Sequence, residues 1–326
     1  MTCPALEGIT IVTVCMNRQE HLARSAWQVA QWPYHHTHLI IDWSSNSPIS
    51  RSDLPDDARI HLVRVDKERY WSPACAYNFG FAMATTKFVM RMDADCWPET
   101  TWDPRPMLCD EVAYVGQGGE GRFGQFLLPL EIFMRAGGFN EHMIGWGFED
   151  KDLRYRISNQ LGVSLIEIDN SFIGVLRHSN VRRVSGQGVQ SETESLAALR
   201  ASRHRNRLIA AFAPHGALSR KSAYSENLDG SWSLCPGTRP RLQADLCKKV
   251  NEAMRRCFWG SYLALPERVV ELLPEKLLPA QHHGHWSVRW WHRGYALLIR
   301  PILLLPVHAL SLLRGMGSFL AHIFSV

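Results

Sequence analysis

The chain has 326 residues, 46% of them hydrophobic and 21% charged, with a formal net charge of +5. That is long enough for one large domain or two ordinary ones, and the composition excludes a chain that is disordered by default. The charge is divided unevenly: residues 1–180 carry 16 Lys+Arg against 22 Asp+Glu, and residues 181–326 carry 20 against 9. A basic second half suits an anionic membrane surface or nucleic acid, or is simply a solvated face. No nucleic-acid recognition motif accompanies it.

Eight cysteines show neither CxxC nor zinc-ligand spacing, and several sit inside apolar runs. They read as small core residues in a reducing compartment. The N-terminal "MTCPALEGITIVTV" lacks the basic start of a signal peptide, so its apolar run is expected to be a first strand.

In chain order, "ITIVTV" (9–14) predicts a strand, "EHLARSAWQVAQW" (20–32) a helix, and "HLIID" (38–42) a second strand. "IHLVRV" (60–65) and "KFVMRM" (87–92) predict strands around a helix over "PACAYNFGFAMA" (73–84). Strands spaced by helices predict an α/β fold with a mostly parallel central sheet. These strands end at Asn17 and Arg18, at Asp42, at Asp66, and at Asp93 and Asp95. Ligands of open α/β sheets bind beyond the carboxyl ends of the strands, so the polar ends are expected to share one cleft. After residue 180 come an Arg-rich helical stretch (194–212) and a Gly/Ser/Pro stretch (215–240). The expected division is a domain over 1–183 and a basic, mainly helical region over 184–326.

The apolar tail, about 290–326, holds no Lys or Arg between Arg300 and Arg314 and contains two prolines there. That is short of the roughly 20 residues a spanning helix needs. Trp290 and Trp291 with Arg293, Arg300 and Arg314 fit a segment lying in a membrane interface. The other reading is a helix packed on the protein itself.

Three segments carry candidate chemistry. In "RMDADC" (91–96), Asp93 and Asp95 at the end of a strand offer hard oxygens to a divalent cation that also holds a diphosphate. In "GWGFEDKDLRYRI" (145–157), Glu149, Asp150 and Asp152 suit the positive end of a helix whose apolar face is Leu153, Ile157 and Leu161. Capping does not account for Gly145, Trp146 and Gly147. Glycines permit close backbone approach to a ligand, a Trp offers a flat face to a sugar, and an acid held against a hydroxyl can act as general base. His178, in "SFIGVLRHSN", follows a further strand-like run and is a candidate imidazole ligand beside Asp95.

The segments "NRQEHL" (17–22), "YNFGFAMATTKFVMRMDAD" (77–95), "GGFNEHMIGWGFEDKDLRYRI" (137–157) and "RHS" (177–179) resemble, in order and approximate spacing, motifs of the beta-1,4-galactosyltransferases. The "GWGxED" element is also similar to that of related bacterial family 2-like glycosyltransferases and polypeptide N-acetylgalactosaminyltransferases. The resemblance covers roughly residues 8–183. It implies a GT-A, Rossmann-like fold and inverting sugar transfer from a UDP-sugar, galactose or N-acetylgalactosamine, that depends on a divalent metal, Mn2+ or Mg2+. It implies metal ligation by Asp95 and His178, a catalytic base in Asp150 with Glu149 beside it, and donor or acceptor binding by Val14, Arg18, Asp42, Asp93, Gly124, Trp146 and Gly147.

Three positions depart from those relatives. Val175 stands where they have a ligating methionine, Phe148 where they have a second glycine, and Met16 where they have a basic residue. The expected acceptor is a saccharide or lipid-linked saccharide, and the expected location is the cytoplasm, on the inner face of the cytoplasmic membrane. The other readings are a retaining transferase and an inactive sugar- or nucleotide-binding protein.

Overall fold

The computed structural model describes residues 6–177, 192–214, 221–263 and 289–306, with isolated positions between 265 and 286 and at 309. His178 and the tail beyond residue 309 lie outside the described residues.

A nine-stranded sheet organises the first unit. In chain order its elements are β1 (Leu6–Cys15), α1 (Gln19–Gln31), β2 (Thr37–Trp43), β3 (Ile60–Asp66), α2 (Pro73–Ala82) and β4 (Thr86–Arg91). There follow β5 (Cys96–Pro98), β6 (Val112–Gly116), β7 (Phe126–Pro129), α3 (Leu130–Arg135), α4 (Glu149–Tyr155), β8 (Ser164–Ile168) and β9 (Ile173–Val175). Then come α5 (Glu192–Phe212), β10 (Tyr224–Glu226) and β11 (Trp232–Leu234). The strand order is β10-β11-β3-β2-β1-β4-β7-β6-β8. From β11 through β4 neighbours are parallel, β7 runs antiparallel to both β4 and β6, and β6 and β8 are parallel.

Side-chain alternation along β1 explains why its sequence is apolar at almost every position. Val12 and Val14 enter the cluster that contains Tyr77 and Phe81 of α2, while Ile9 and Ile11 enter a second one with Val29 of α1 and Trp32 just after it. A central parallel strand covered on both faces reads as a continuous apolar run. The helix α2 starts at Ser72, whose hydroxyl accepts from the Cys75 N–H, with Pro73 at its first position. It packs so closely on the sheet that a Cβ at Gly80 would lie 2.5 Å from Val12 Cγ1.

The first five expected strand and helix segments coincide with β1, α1, β2, β3 and α2 to within a few residues, as does β4. The expected domain end at residue 183 does not match the compact units, which divide after Leu246. The reason lies in the Gly/Ser/Pro stretch. Its β10–β11 hairpin adds to the edge of the sheet, with Trp232 and Ser233 paired to Val65 and Asp66 of β3. Tyr224 also packs edge-on against Phe79 and Trp43.

The second unit, from Cys247 onward, contains most of α6 (Ala244–Leu263), a short antiparallel pair at 281–282 and 285–286, and α7 (Trp290–Leu298). Among the described residues no helix is long and apolar enough to cross a membrane. Trp290, Leu297, Leu298, Ile302 and Leu305 are all more than 60% exposed.

Candidate active site

A cleft of about 530 Å³ opens at the carboxyl ends of β1 and β4. It falls within the size range of small-ligand sites. Val14, Arg18, Asp93, Asp95, Gly124, Trp146, Gly147, Glu149 and Asp150 all line it. Of the expected site residues in the described structure, Asp42 alone is not among the lining.

Arg64 explains the exception. Asp42 is buried, accepts from the N–H groups of Ser45 and Ile49 at 3.0 Å, and is ion-paired with Arg64 Nη1 at 2.6 Å. Arg64 Nε also holds Asp66 at 2.7 Å. Polar ends of β2 and β3 are therefore joined to each other through one guanidinium, which corrects the expectation that all four strand ends face one cleft.

The Asp93–Asp95 segment leaves β4 directly. Asp93 Oδ1 accepts from the Tyr77 hydroxyl at 2.7 Å and Arg91 Nε at 3.1 Å, and Oδ2 accepts from Gln125 Nε2 at 3.1 Å. Gln125 also accepts the Asp93 N–H, so its amide holds both ends of that residue. Asp95 is buried and ion-paired through Oδ2 with Arg18 Nη2 at 3.1 Å. Beside it, β9 pairs antiparallel with β5, and the Leu176 N–H donates to the Asp95 carbonyl at 2.8 Å. Val175 occupies its place by packing against the apolar cluster under this strand pair. Among the described residues no three His, Cys, Asp or Glu side chains gather as a metal cluster.

The second acidic segment is positioned by its backbone. Gly145, Gly147 and Phe148 all have positive φ, at 78°, 92° and 79°. Two glycines are adapted to this conformation, whereas a phenylalanine in it costs about 1–2 kcal/mol. The glycines also serve packing: an added Cβ at Gly145 would lie 2.6 Å from Ser202 Oγ, and one at Gly147 would lie 3.3 Å from Arg203 Cβ. Both contacts come from α5, so the missing side chains admit this helix, and both glycines also line the cleft. Trp146 N–H donates to Ser202 Oγ at 2.9 Å, Asn206 Nδ2 to the Gly147 carbonyl at 2.8 Å, and Gly145 N–H to the Trp71 carbonyl at 3.0 Å. These bonds fix the turn that starts α4.

Helix α4 then divides its acids. Asp152 turns inward to a buried ion pair with Arg156 at 2.9 Å, one helical turn on. Glu149 is buried against Arg91, with Oε1 at 3.3 Å from Nη2, while its Oε2 finds no hydrogen-bond partner among the described residues. Burial and the neighbouring Asp150 charge push the Glu149 carboxyl up to about 7, against the pull of Arg91. Asp150 lies half-buried in the cleft wall and accepts from the Lys151 N–H at 2.7 Å.

Arg91 links the two segments, bonding Asp93 on one side and Glu149 on the other. Burial opposes its charge, but Asp93, Tyr77 and Glu149 hold the guanidinium well above its ordinary pKa. It lies over the Tyr77 ring at 4.3 Å and near that of Phe139 at 5.4 Å. Sequence reading missed it. The available signal was an Arg two residues before Asp93, the same side of the strand, in a run otherwise apolar. It also missed the third side of the cleft, formed by Arg69, Tyr70 and Trp71 after β3 and by Ser202 and Arg203 on α5.

Known proteins match the chain in two adjoining stretches. Residues 10–107 match the family model for glycosyl transferase family 2, and residues 114–179 that for the N-terminal domain of galactosyltransferase. A search of curated proteins finds no match. Among solved structures, the catalytic domain of Drosophila beta1,4galactosyltransferase 7 in complex with xylobiose is 14% identical, with a TM-score of 0.43 over 74% of this chain and 97% of that one. A mutant of that Drosophila enzyme, in complex with manganese, UDP-Gal and xylobiose, has the same identity, TM-score and coverage. The two family models between them take in both acidic segments of the cleft, so the chain is similar to family 2 glycosyl transferases over its first strands and to galactosyltransferases over the stretch that carries Glu149 and Asp150.

Proposed function

We propose that this chain transfers galactose or N-acetylgalactosamine from a UDP-sugar to a saccharide hydroxyl, with inversion at the anomeric carbon and with a divalent cation. The observation that carries the reading is the convergence of Asp93, Asp95, Glu149 and Asp150 on one cleft, with Arg91 bonded to both segments. The donor set suits a hard cation shared with a substrate: two carboxylates offer oxygen ligands, and diphosphate oxygens and water complete such a shell. Asp95, with Asp93 beside it, would hold the ion; His178, the other expected ligand, lies outside the described residues. When bound, Mn2+ or Mg2+ supplies positive charge to the departing diphosphate. Manganese is favoured because the Drosophila enzyme carries it together with UDP-Gal.

The chain's own residues do the rest. Arg18 and Val14 border the donor end of the cleft, and Trp146 provides a flat face for a sugar ring. Asp150 takes the proton of the acceptor hydroxyl as that oxygen bonds to the anomeric carbon and the bond from this carbon to the phosphate oxygen breaks. Glu149 orients a sugar hydroxyl from its position against Arg91. A panel of UDP-sugars with manganese, with magnesium and with chelator, scored for UDP release, tests this. Chelator-sensitive release from UDP-galactose or UDP-N-acetylgalactosamine is expected. No metal-dependent release from any donor contradicts the reading in favour of a binding protein.

The second unit supports docking on an anionic membrane, where a lipid-linked acceptor would be found. Exposed Trp290, Leu297, Leu298, Ile302 and Leu305 are interleaved with Arg293 and Arg300, and residues 276–326 contain no Asp or Glu. The full chain is expected to float with vesicles containing anionic phospholipid, and a chain ending at residue 289 to remain behind. Equal partition of the two contradicts membrane docking.

A further inference from the structure

We propose that the acceptor carries a negatively charged group, a carboxylate or phosphate, and that Arg69 and Arg203 select it. This rests on the transferase reading above and names the class of acceptor.

The third side of the cleft differs in charge from the other two. Arg18 and Arg91 both line the cleft, and each is bonded to a carboxylate, Asp95 and Asp93. Arg69 and Arg203 also line it and are exposed, yet neither forms an ion pair among the described residues. They come to the cleft wall from different elements, Arg69 from the loop after β3 and Arg203 from α5. The loop of Arg69 is tied to Gly145 through the Trp71 carbonyl, and α5 is tied to Trp146 through Ser202 Oγ. Arg203 lies over the backbone of Gly147. Trp146 thus shares the cleft wall with two exposed arginines, Arg69 two residues before the Trp71 carbonyl and Arg203 one residue after Ser202. Guanidinium forks match carboxylate and phosphate oxygens in a way that neutral hydroxyls do not. Tyr70 and Trp71 lie beside Arg69 in the lining, adding apolar faces suited to pyranose rings.

Three acceptors separate the outcomes: a disaccharide ending in a glucuronate, the same disaccharide with its carboxyl group reduced to the alcohol, and a sugar diphosphate on a short alkyl chain. With the full chain and one donor, at least one charged acceptor is expected to exceed the neutral one about tenfold or more in kcat/KM. Preference for the glucuronate assigns the charge to the saccharide, and preference for the alkyl diphosphate assigns it to a lipid carrier. Arg69→Gln and Arg203→Gln are each expected to lower the ratio of charged to neutral kcat/KM about tenfold, and Arg203→Lys to retain part of it. UDP release from the donor alone scores the transferase reading independently. If that release occurs and the neutral acceptor is used as well as both charged ones, the charge proposal is overturned while the transferase reading stands. It is also overturned if the Gln variants lower kcat/KM equally for all three acceptors, or raise KM for the donor alone.

Discussion

The two acidic segments of the cleft are held by different means. Asp93 and Asp95 are fixed by side chains, with Tyr77, Arg91, Gln125 and Arg18 bonded to their oxygens at 2.7–3.1 Å. Glu149 and Asp150 are fixed by backbone, through three positive-φ residues clamped under α5, and their carboxylates are left less satisfied. A pair braced by side chains suits binding, because its geometry is stiff. Glu149, a buried carboxyl whose Oε2 has no partner among the described residues, has a proton affinity that its surroundings can tune. Arg91 is where the two arrangements meet.

The contrast is sharpest at Asp150. Asp150→Asn is expected to lower kcat by about 10²–10⁴-fold while UDP binding, measured by calorimetry, is retained. Loss of UDP binding along with turnover would move Asp150 into the binding pair. Arg91→Met removes the link and leaves Asp93 and Glu149 facing each other without their cation. A loss of about 3–5 kcal/mol in stability is expected from urea unfolding, as for other broken buried pairs.

Glu149 gives a prediction in pH. Its carboxyl is held at about 7 in the folded chain, above its ordinary 4.5, so the folded state binds the proton more tightly than the unfolded state. The resulting stabilisation is fully present below about pH 4.5 and is lost as pH rises through about 7. Unfolding measured at pH 5 and pH 8 is expected to show the wild type losing on the order of 2 kcal/mol more than Glu149→Gln over this interval. Parallel profiles would show that Glu149 is charged throughout. The smallest effect is expected at Phe148, where Gly and Ala variants both lack the ring. Phe148→Gly should be more stable than Phe148→Ala by about 1 kcal/mol, the cost of a Cβ at positive φ.

Legibility in the sequence followed the physics of each region. The strands β1, β2 and β4 were readable because strands buried on both faces must be apolar at nearly every position, as in "ITIVTV". The strands β6 to β8 are four or five residues long and separated by glycine-rich loops, and β10 and β11 lie in a stretch whose composition signals turns. Their pairing is set by the sheet edge they join and leaves little local trace. Within the cleft, residues of the two acidic motifs were named correctly as neighbours, since their types and strand-end positions restrict where they can lie. Asp42 was not separable from them by sequence, because the partner that holds it, Arg64, lies 22 residues away on the adjacent strand. Arg69 and Arg203 were invisible for the same reason: only tertiary packing, of the loop after β3 through Trp71 and of α5 through Ser202, brings them to the cleft of Trp146.

The central claim is that Asp150 removes the acceptor proton in a single displacement at the anomeric carbon. Its most direct test is the anomeric configuration of the product formed from an α-linked UDP-sugar donor, read by proton coupling across the new linkage. The account predicts a β-linked product. An α-linked product would contradict it, since retention requires that Asp150 play some other part.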